Sequence, residues 1–108
     1  MKRPPHPVMA LGAAALAALL TSAASAQPAD PVAGRRLANR WCTSCHVVDS
    51  GKGGTDAVPT LASIARDPNR GPNWVRQWLT SPHPPMPDLN LSRNEIEDVV
   101  AYLQSLAR

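Results

Sequence analysis

The apolar residues between positions 31 and 45 recur every three or four positions, which is the spacing of one face of an α-helix. Asp30 precedes this stretch and Pro31 begins it, and these residue types favour a helix N-cap and a first helical turn. The pattern predicts a helix from Pro31 to about Cys45. Its apolar positions are Val32, Ala33, Leu37, Ala38 and Trp41.

Two shorter helices are predicted in the middle of the chain. The first covers Thr60 to Arg66 and is ended by Asp67-Pro68. The second opens at Gly71-Pro72-Asn73 and stops before Pro82, because a residue that precedes proline disfavours the helical conformation. Their inward positions are Leu61, Ile64 and Ala65 in the first helix, and Trp74, Val75, Trp78 and Leu79 in the second.

The last helix has the clearest start signal. Ser92 and Glu95 have the spacing of a capping box, and Leu91 with Ile96 matches the hydrophobic staple around it. Residues 49–58 are rich in turn formers and are expected to be a loop. The whole pattern predicts an all-α bundle of three to five short helices. The apolar face of the last helix consists of Ile96, Val99, Val100, Leu103 and Leu106.

The first 26 residues have the layout of a secretory signal peptide. Lys2 and Arg3 form a positive n-region, residues 8–20 are an uncharged apolar run, and Ala24-Ser25-Ala26 matches a cleavage site. The alternative is a transmembrane anchor, but a span needs about 20 apolar residues and this run has 13. We expect cleavage between Ala26 and Gln27, a mature domain of residues 27–108 without a membrane span, and a periplasmic location.

Composition and charge exclude several classes of protein. The chain contains 12 Pro, three Trp, one Tyr and no Phe, and its sparse β-branched residues never alternate, which argues against all-β and βαβ folds. Residues 27–108 hold nine basic and eight acidic side chains, so their formal charge is +1. Such a domain is a poor binder of nucleic acid. An 82-residue helical domain also buries little apolar surface, so we expect a further group to complete the core.

Cys42, Cys45 and His46 form the sequence Cys-x-x-Cys-His, the attachment motif of a c-type haem. Two thiols three residues apart can add across two vinyl groups on one porphyrin edge, and the next residue presents an imidazole to the iron. Three alternatives are weaker. A disulfide would close a very short loop, and a thioredoxin-like pair needs a βαβ setting. A zinc site needs four ligands, which two Cys and two His could supply in number, but His83 lies in a proline-rich loop and the context of Met86 would go unexplained.

A second iron ligand is predicted in a proline-rich loop. Met86 lies within Pro82-His-Pro-Pro-Met-Pro87, where four prolines restrict the backbone. A thioether binds iron weakly, so a stiff loop that fixes its position favours Met86 as the distal ligand. His83 is the competing ligand, an open sixth site is a further alternative, and a filler of a core gap is the non-functional interpretation.

These residues give the chain a resemblance to the small class I c-type cytochromes of bacteria over residues 31–107. The resemblance implies a helical bundle around one covalently attached haem c, with iron held by His46 and Met86. It implies that the terminal helices cross at Gly34 and Tyr102, and that the Pro59 carbonyl orients His46. The markers are Cys42-Thr-Ser-Cys45-His46, Val58-Pro59-Thr60-Leu61, the helix with Trp74, Pro85-Met86-Pro87, and Tyr102-Leu103.

The function expected from this resemblance is single-electron transfer through Fe(II)/Fe(III) cycling rather than catalysis. Trp74 and Trp78 are expected to be walls of the haem pocket. The partners would be redox proteins, with a dehydrogenase or cytochrome as donor and an oxidase or reductase as acceptor. A first alternative is a relay subunit within a periplasmic oxidoreductase. A second is a haem peroxidase or ligand sensor, which would need an open sixth site on the iron.

Overall fold

The computed structural model describes residues 1–6, 27–48 and 53–108, and these contain four α-helices and no strand. The predicted all-α architecture is therefore confirmed. The expected signal peptide falls mostly on residues 7–26, and these lie outside the described residues, as do residues 49–52 of the expected loop. The helices are α1 (Pro31–Trp41), α2 (Leu61–Arg66), α3 (Pro72–Thr80) and α4 (Arg93–Leu106).

Helix α1 begins where the sequence predicts but ends four residues earlier. The Asp30 carboxylate accepts a hydrogen bond from the backbone N–H of Val32 at 2.9 Å, which caps the helix. After Trp41 the chain continues in turns, and the Thr43 hydroxyl donates to the Asn39 carbonyl at 3.1 Å. That carbonyl is the acceptor that a continuing helix would offer to the Thr43 N–H, so a side chain competes with the helix at this point.

The capping box of α4 is present as predicted. The Ser92 backbone N–H donates to the Glu95 carboxylate at 2.7 Å, and the Glu95 N–H donates to the Ser92 hydroxyl at 3.1 Å. Two N–H groups that a helix start leaves without partners are thereby satisfied. Leu91, just before the cap, packs against the core cluster that includes Ile96, as a hydrophobic staple would place it.

The first and last helices cross at Gly34. A Cβ atom added there would overlap the Asp98 carbonyl oxygen and lie 2.9 Å from the Tyr102 Cβ, so only glycine lets the two backbones approach this closely. The contact is reinforced by the Asp30 N–H, which donates to the Asp98 carboxylate at 2.8 Å. The predicted Gly34–Tyr102 crossing is therefore what the structure shows.

Helix α4 packs against each of the other three helices and carries most of the buried core. An ion pair between Arg76 of α3 and Glu97 of α4, with 2.6 Å between Nε and Oε1, connects two of these helices. Among the described residues, no helix is long and apolar enough to cross a membrane. The buried core is Ala38, Val48, Leu61, Val75, Ile96, Val99, Val100, Tyr102 and Leu103.

Candidate functional site

A cavity of about 410 Å³ lies between the turns after α1, helices α2 and α3, and the proline-rich loop. Its size is in the range of small-molecule and cofactor sites, about 300–1,000 Å³. All of the site residues predicted from the sequence line this one cavity. They are Cys42, Cys45, His46, Pro59, Trp74, Trp78 and Met86.

The two cysteines lie at one side of the cavity on the turns that follow α1. The His46 N–H donates to the Cys42 carbonyl at 2.8 Å, which folds this segment back on itself. Both residues are free thiols, with Cys42 partly buried and Cys45 exposed. Burial raises the pKa of the Cys42 thiol, whereas a redox-active cysteine pair depends on a lowered one. The burial of Cys42 therefore does not support a thioredoxin-like pair.

The imidazole of His46 is oriented by the backbone of a distant segment. Its Nδ1 lies 2.6 Å from the Pro59 carbonyl oxygen. A carbonyl can only accept, so Nδ1 carries the proton in this pair, and in the neutral imidazole the lone pair is on the other ring nitrogen, Nε2. An imidazole in this tautomer is a metal ligand through Nε2, and the hydrogen bond to its other nitrogen holds the ring in place.

The segment that contains Gly53 and Gly54 packs against the turns formed by residues 42–46. The Gly54 N–H donates to the Thr43 carbonyl at 2.7 Å, and the Thr55 N–H to the Cys45 carbonyl at 3.1 Å. Gly54 has a positive φ of 79°, and a Cβ there would lie 2.6 Å from the His46 carbonyl carbon. The sequence predicts a loop here but not this contact. The glycine pair is the signal that could have indicated it.

Met86 lines the cavity from the proline-rich loop. Its backbone N–H donates to the His83 carbonyl at 3.1 Å, which forms a turn within the proline-rich loop. The Trp78 indole N–H donates to the Met86 sulfur at 3.0 Å. The His83 ring contacts Trp78 edge-on, at 5.1 Å between centroids, and it also lines the cavity.

The two tryptophans of α3 form one wall of the cavity, as the resemblance implies. The rings of Trp74 and Trp78 are stacked, with 5.2 Å between centroids and 10° between planes. The Arg70 guanidinium lies 5.4 Å from the centre of the Trp74 ring and 3.5 Å from the Asp67 carboxylate. Arg70 also lines the cavity, so it offers a cation to an acidic group there, which the sequence alone did not assign.

The lining of the cavity fits a c-type haem. Two thiols stand on one edge, an imidazole and a thioether also line the cavity, and the remaining walls are mostly apolar. Within the described part of the chain, no group of three or more His, Cys, Asp or Glu side chains could hold a metal ion. The apolar walls include Val58, Leu61, Ile64, Val75, Leu79, Val99 and Leu103.

Comparison with known proteins agrees with this chemistry. The family model for cytochrome c matches residues 31–107. A curated relative, "Cytochrome c-552" of Bradyrhizobium diazoefficiens, is 46% identical over 90 residues, which is 82% of this chain and 86% of the relative. No solved structure matches the chain. The chain therefore belongs to the cytochrome c family, as a small class I c-type cytochrome whose cofactor is covalently bound haem c with its iron.

Proposed function

We propose that this haem electron carrier is a periplasmic monohaem cytochrome that passes single electrons between redox proteins. The observation that carries the proposal is that His46 and Met86 line the same cavity and that each is held by a hydrogen bond to a fixed neighbour. The Pro59 carbonyl holds His46, and the Trp78 indole holds Met86. Because both ligands are already held in place, they need little rearrangement when the iron is oxidised or reduced.

The bound haem supplies a one-electron iron couple. The residues of the chain provide the attachment, the iron ligands and the walls of the pocket. Cys42 and Cys45 would hold the porphyrin through two thioether bonds, and His46 and Met86 would be the two protein ligands of the iron. His/Met ligation raises the reduction potential relative to thiolate or tyrosinate ligation. The mostly apolar walls would limit the access of water to the haem, and the Arg70 guanidinium, which also lines the cavity, would be available to pair with a haem propionate.

An electron carrier differs from a haem enzyme in its sixth coordination site. With Met86 on the iron, no position is open for oxygen, peroxide or another substrate, so the proposal excludes peroxidase and sensor chemistry at the metal. A subunit that relays electrons inside an oxidoreductase complex would use the same site. The two roles differ in whether the mature protein is found free or bound to an oxidoreductase after gentle extraction at low salt.

The periplasmic location rests on residues 1–26, which have the charge, apolar run and cleavage pattern of a signal peptide. The relative in Bradyrhizobium diazoefficiens is consistent with a bacterial c-type cytochrome. The partners proposed are a donor dehydrogenase or cytochrome and an acceptor oxidase or reductase. The mature protein is proposed to be a monomer, or one subunit of a redox complex.

Three measurements on the protein purified from the periplasm test the proposal. Mass spectrometry should show a chain that begins at Gln27 and carries one haem, and acidified organic solvent should not extract that haem. A redox titration should follow a single one-electron transition. The ferrous protein should bind carbon monoxide very slowly at neutral pH. Extractable haem, or rapid binding of carbon monoxide, would overturn the proposal.

A further inference from the structure

The first residues of the proposed mature chain form a short exposed segment that precedes α1. Residues 27–30 have no regular secondary structure, and all four are exposed. The chain becomes fixed at Asp30, whose N–H donates to the Asp98 carboxylate at 2.8 Å and whose own carboxylate caps α1. No hydrogen bond joins Gln27 to another described residue. The side chain of Gln27 can therefore rotate without breaking a contact of the fold.

Gln27 carries both groups of an intramolecular reaction once it is the first residue of the chain. Its α-amino nitrogen can then attack Cδ of its own side-chain amide and close a five-membered lactam, which is pyroglutamate. The new bond from nitrogen to Cδ replaces the bond from Cδ to the side-chain nitrogen. That nitrogen leaves as ammonia with the proton that the α-amino group loses, so no oxidant and no second reactant is needed.

Two properties of this segment favour the ring closure. An α-amino group has a pKa of about 7.7–8.0 in model peptides, so part of it is unprotonated and nucleophilic at neutral pH. The next residue is Pro28, whose peptide nitrogen lies in a ring and carries no hydrogen. Most aminopeptidases do not cleave a bond to proline, so Gln27 stays in the first position while the reaction proceeds.

We propose that Gln27 is a modification site, at which the mature chain begins with pyroglutamate instead of a free α-amino group. The inference rests on the proposed cleavage between Ala26 and Gln27. Ring closure removes one positive charge from the chain terminus and leaves no free amine for an aminopeptidase to bind. The exposed segment is thereby protected from trimming toward Asp30, whose two hydrogen bonds fix the start of α1 and connect it to α4.

The test compares the haem-loaded wild type with Gln27→Asn, both purified from the periplasm. Asparagine keeps a side-chain amide, but the same attack would have to close a strained four-membered ring, so its α-amino group should remain free. Tandem mass spectrometry of the N-terminal peptide, prepared in acid to stop further reaction, identifies the first residue. Isoelectric focusing of the native proteins compares their charge.

The N-terminal peptide of the wild type should be lighter than a peptide with free Gln27 by one molecule of ammonia. The native wild type should focus at a lower pH than Gln27→Asn, because it has one positive charge fewer. Any wild-type chains that are still uncyclised should lose ammonia during incubation at neutral pH, and Gln27→Asn should not. A wild-type amine that stays free through this incubation overturns the inference.

Failure of the inference is distinguishable from failure of the proposed function. If the chain begins at another residue, the proposed cleavage is wrong and the inference fails with it. If the chain begins at Gln27 and its amine stays free, only the inference is overturned. The haem content and the carbon monoxide binding of the same sample test the role as an electron carrier separately.

Discussion

The Nδ1 atom of His46 and the carbonyl oxygen of Pro59 lie 2.6 Å apart, across 13 residues of chain. This contact holds the imidazole ring in place and leaves Nε2 as the ring nitrogen that is proposed to bind iron. A carbonyl on Nδ1 also increases the electron donation of the imidazole to the metal. The residue that supplies the carbonyl is proline, whose fixed φ restricts where that oxygen points.

The first prediction concerns this contact. Pro59→Ala keeps the carbonyl and releases the φ angle, so the unfolded chain gains freedom while the hydrogen bond remains possible. We expect the free energy of unfolding of the ferric protein to fall by about 0.4–1 kcal/mol, measured with denaturant. The absorption spectrum of the folded protein should stay that of the wild type. A variant that folds but loses His46 ligation would show that the ring of Pro59 itself is required.

The second prediction concerns the crossing of α1 and α4. A Cβ at position 34 meets the backbone of Asp98, which cannot move aside as a side chain could. Gly34→Val should therefore cost stability at the upper end of the about 1–3 kcal/mol typical of overpacked sites, despite the gain in helix propensity over glycine. The melting temperature of the haem-loaded protein measures this.

Gly71→Ala is the matched control for the helix crossing. A Cβ at Gly71 would have no atom within 4 Å, so the only cost is a poorer N-cap for α3, about 1 kcal/mol or less. If Gly34→Val melts no lower than Gly71→Ala, the terminal helices do not make this close contact in solution.

Local patterns predicted the helices, the two thiols and the two candidate iron ligands, and the family resemblance predicted the places of Pro59, Trp74 and Trp78. Neither predicted every orientation within the site. The capping box at Ser92 could be inferred directly because its two residues are close in sequence. The close approach at Gly34 could be inferred because glycine has no side chain to keep the two helices apart. The early end of α1 could not be predicted, because it depends on the hydrogen bond that the Thr43 hydroxyl donates to the Asn39 carbonyl. The hydrogen-bond partner of the Trp78 N–H could not be predicted either, because it depends on where the loop with Met86 packs against α3.

The ion pair between α3 and α4 could not be predicted from the sequence either. Arg76 and Glu97 are 21 residues apart, and neither lies in a sequence motif that would indicate its partner. Each side chain is more than a third exposed, with relative accessibilities of 39% and 37%. Their contact depends on the angle between α3 and α4, which the packing of the apolar faces decides.

The third prediction uses this pair. The hydrogen bond from Arg76 lowers the pKa of the Glu97 carboxyl below its ordinary value. The stabilisation is therefore present above the pKa of unfolded glutamate, about 4.3, and is lost as the pH falls through the lower folded value. Glu97→Gln should be slightly less stable than the wild type at neutral pH, and the difference should shrink in acid. Urea midpoints across this range measure it.

Salt is the control for the ion pair. Because the pair is solvent-exposed, added salt should reduce the difference between the wild type and Glu97→Gln at neutral pH. A difference that persists at both low pH and high salt would mean that Glu97 stabilises the protein by packing rather than by its charge.

The fourth prediction assigns the distal ligand. Met86→Ala should keep the haem attached through Cys42 and Cys45 and keep His46 on the iron, because all three lie on the segment after α1, away from the altered loop. Removing the thioether should lower the reduction potential and let carbon monoxide bind the ferrous form readily. The measurement is the rate of carbon monoxide binding, compared with the slow rate expected of the wild type.

His83→Ala is the matched variant for this assignment, since His83 lines the same cavity and its backbone carbonyl closes the turn to Met86. The alanine keeps that carbonyl, so the turn and Met86 ligation should survive and carbon monoxide should remain excluded. If His83→Ala opens the iron while Met86→Ala does not, the imidazole is the ligand in the folded protein. If His83 replaces the lost thioether in Met86→Ala, carbon monoxide will bind slowly to that variant. It will then bind fast only to the double variant with both residues changed to alanine, and slowly to His83→Ala alone. That pattern still assigns Met86 as the ligand of the wild type, because His83 would reach the iron only after the sulfur has gone.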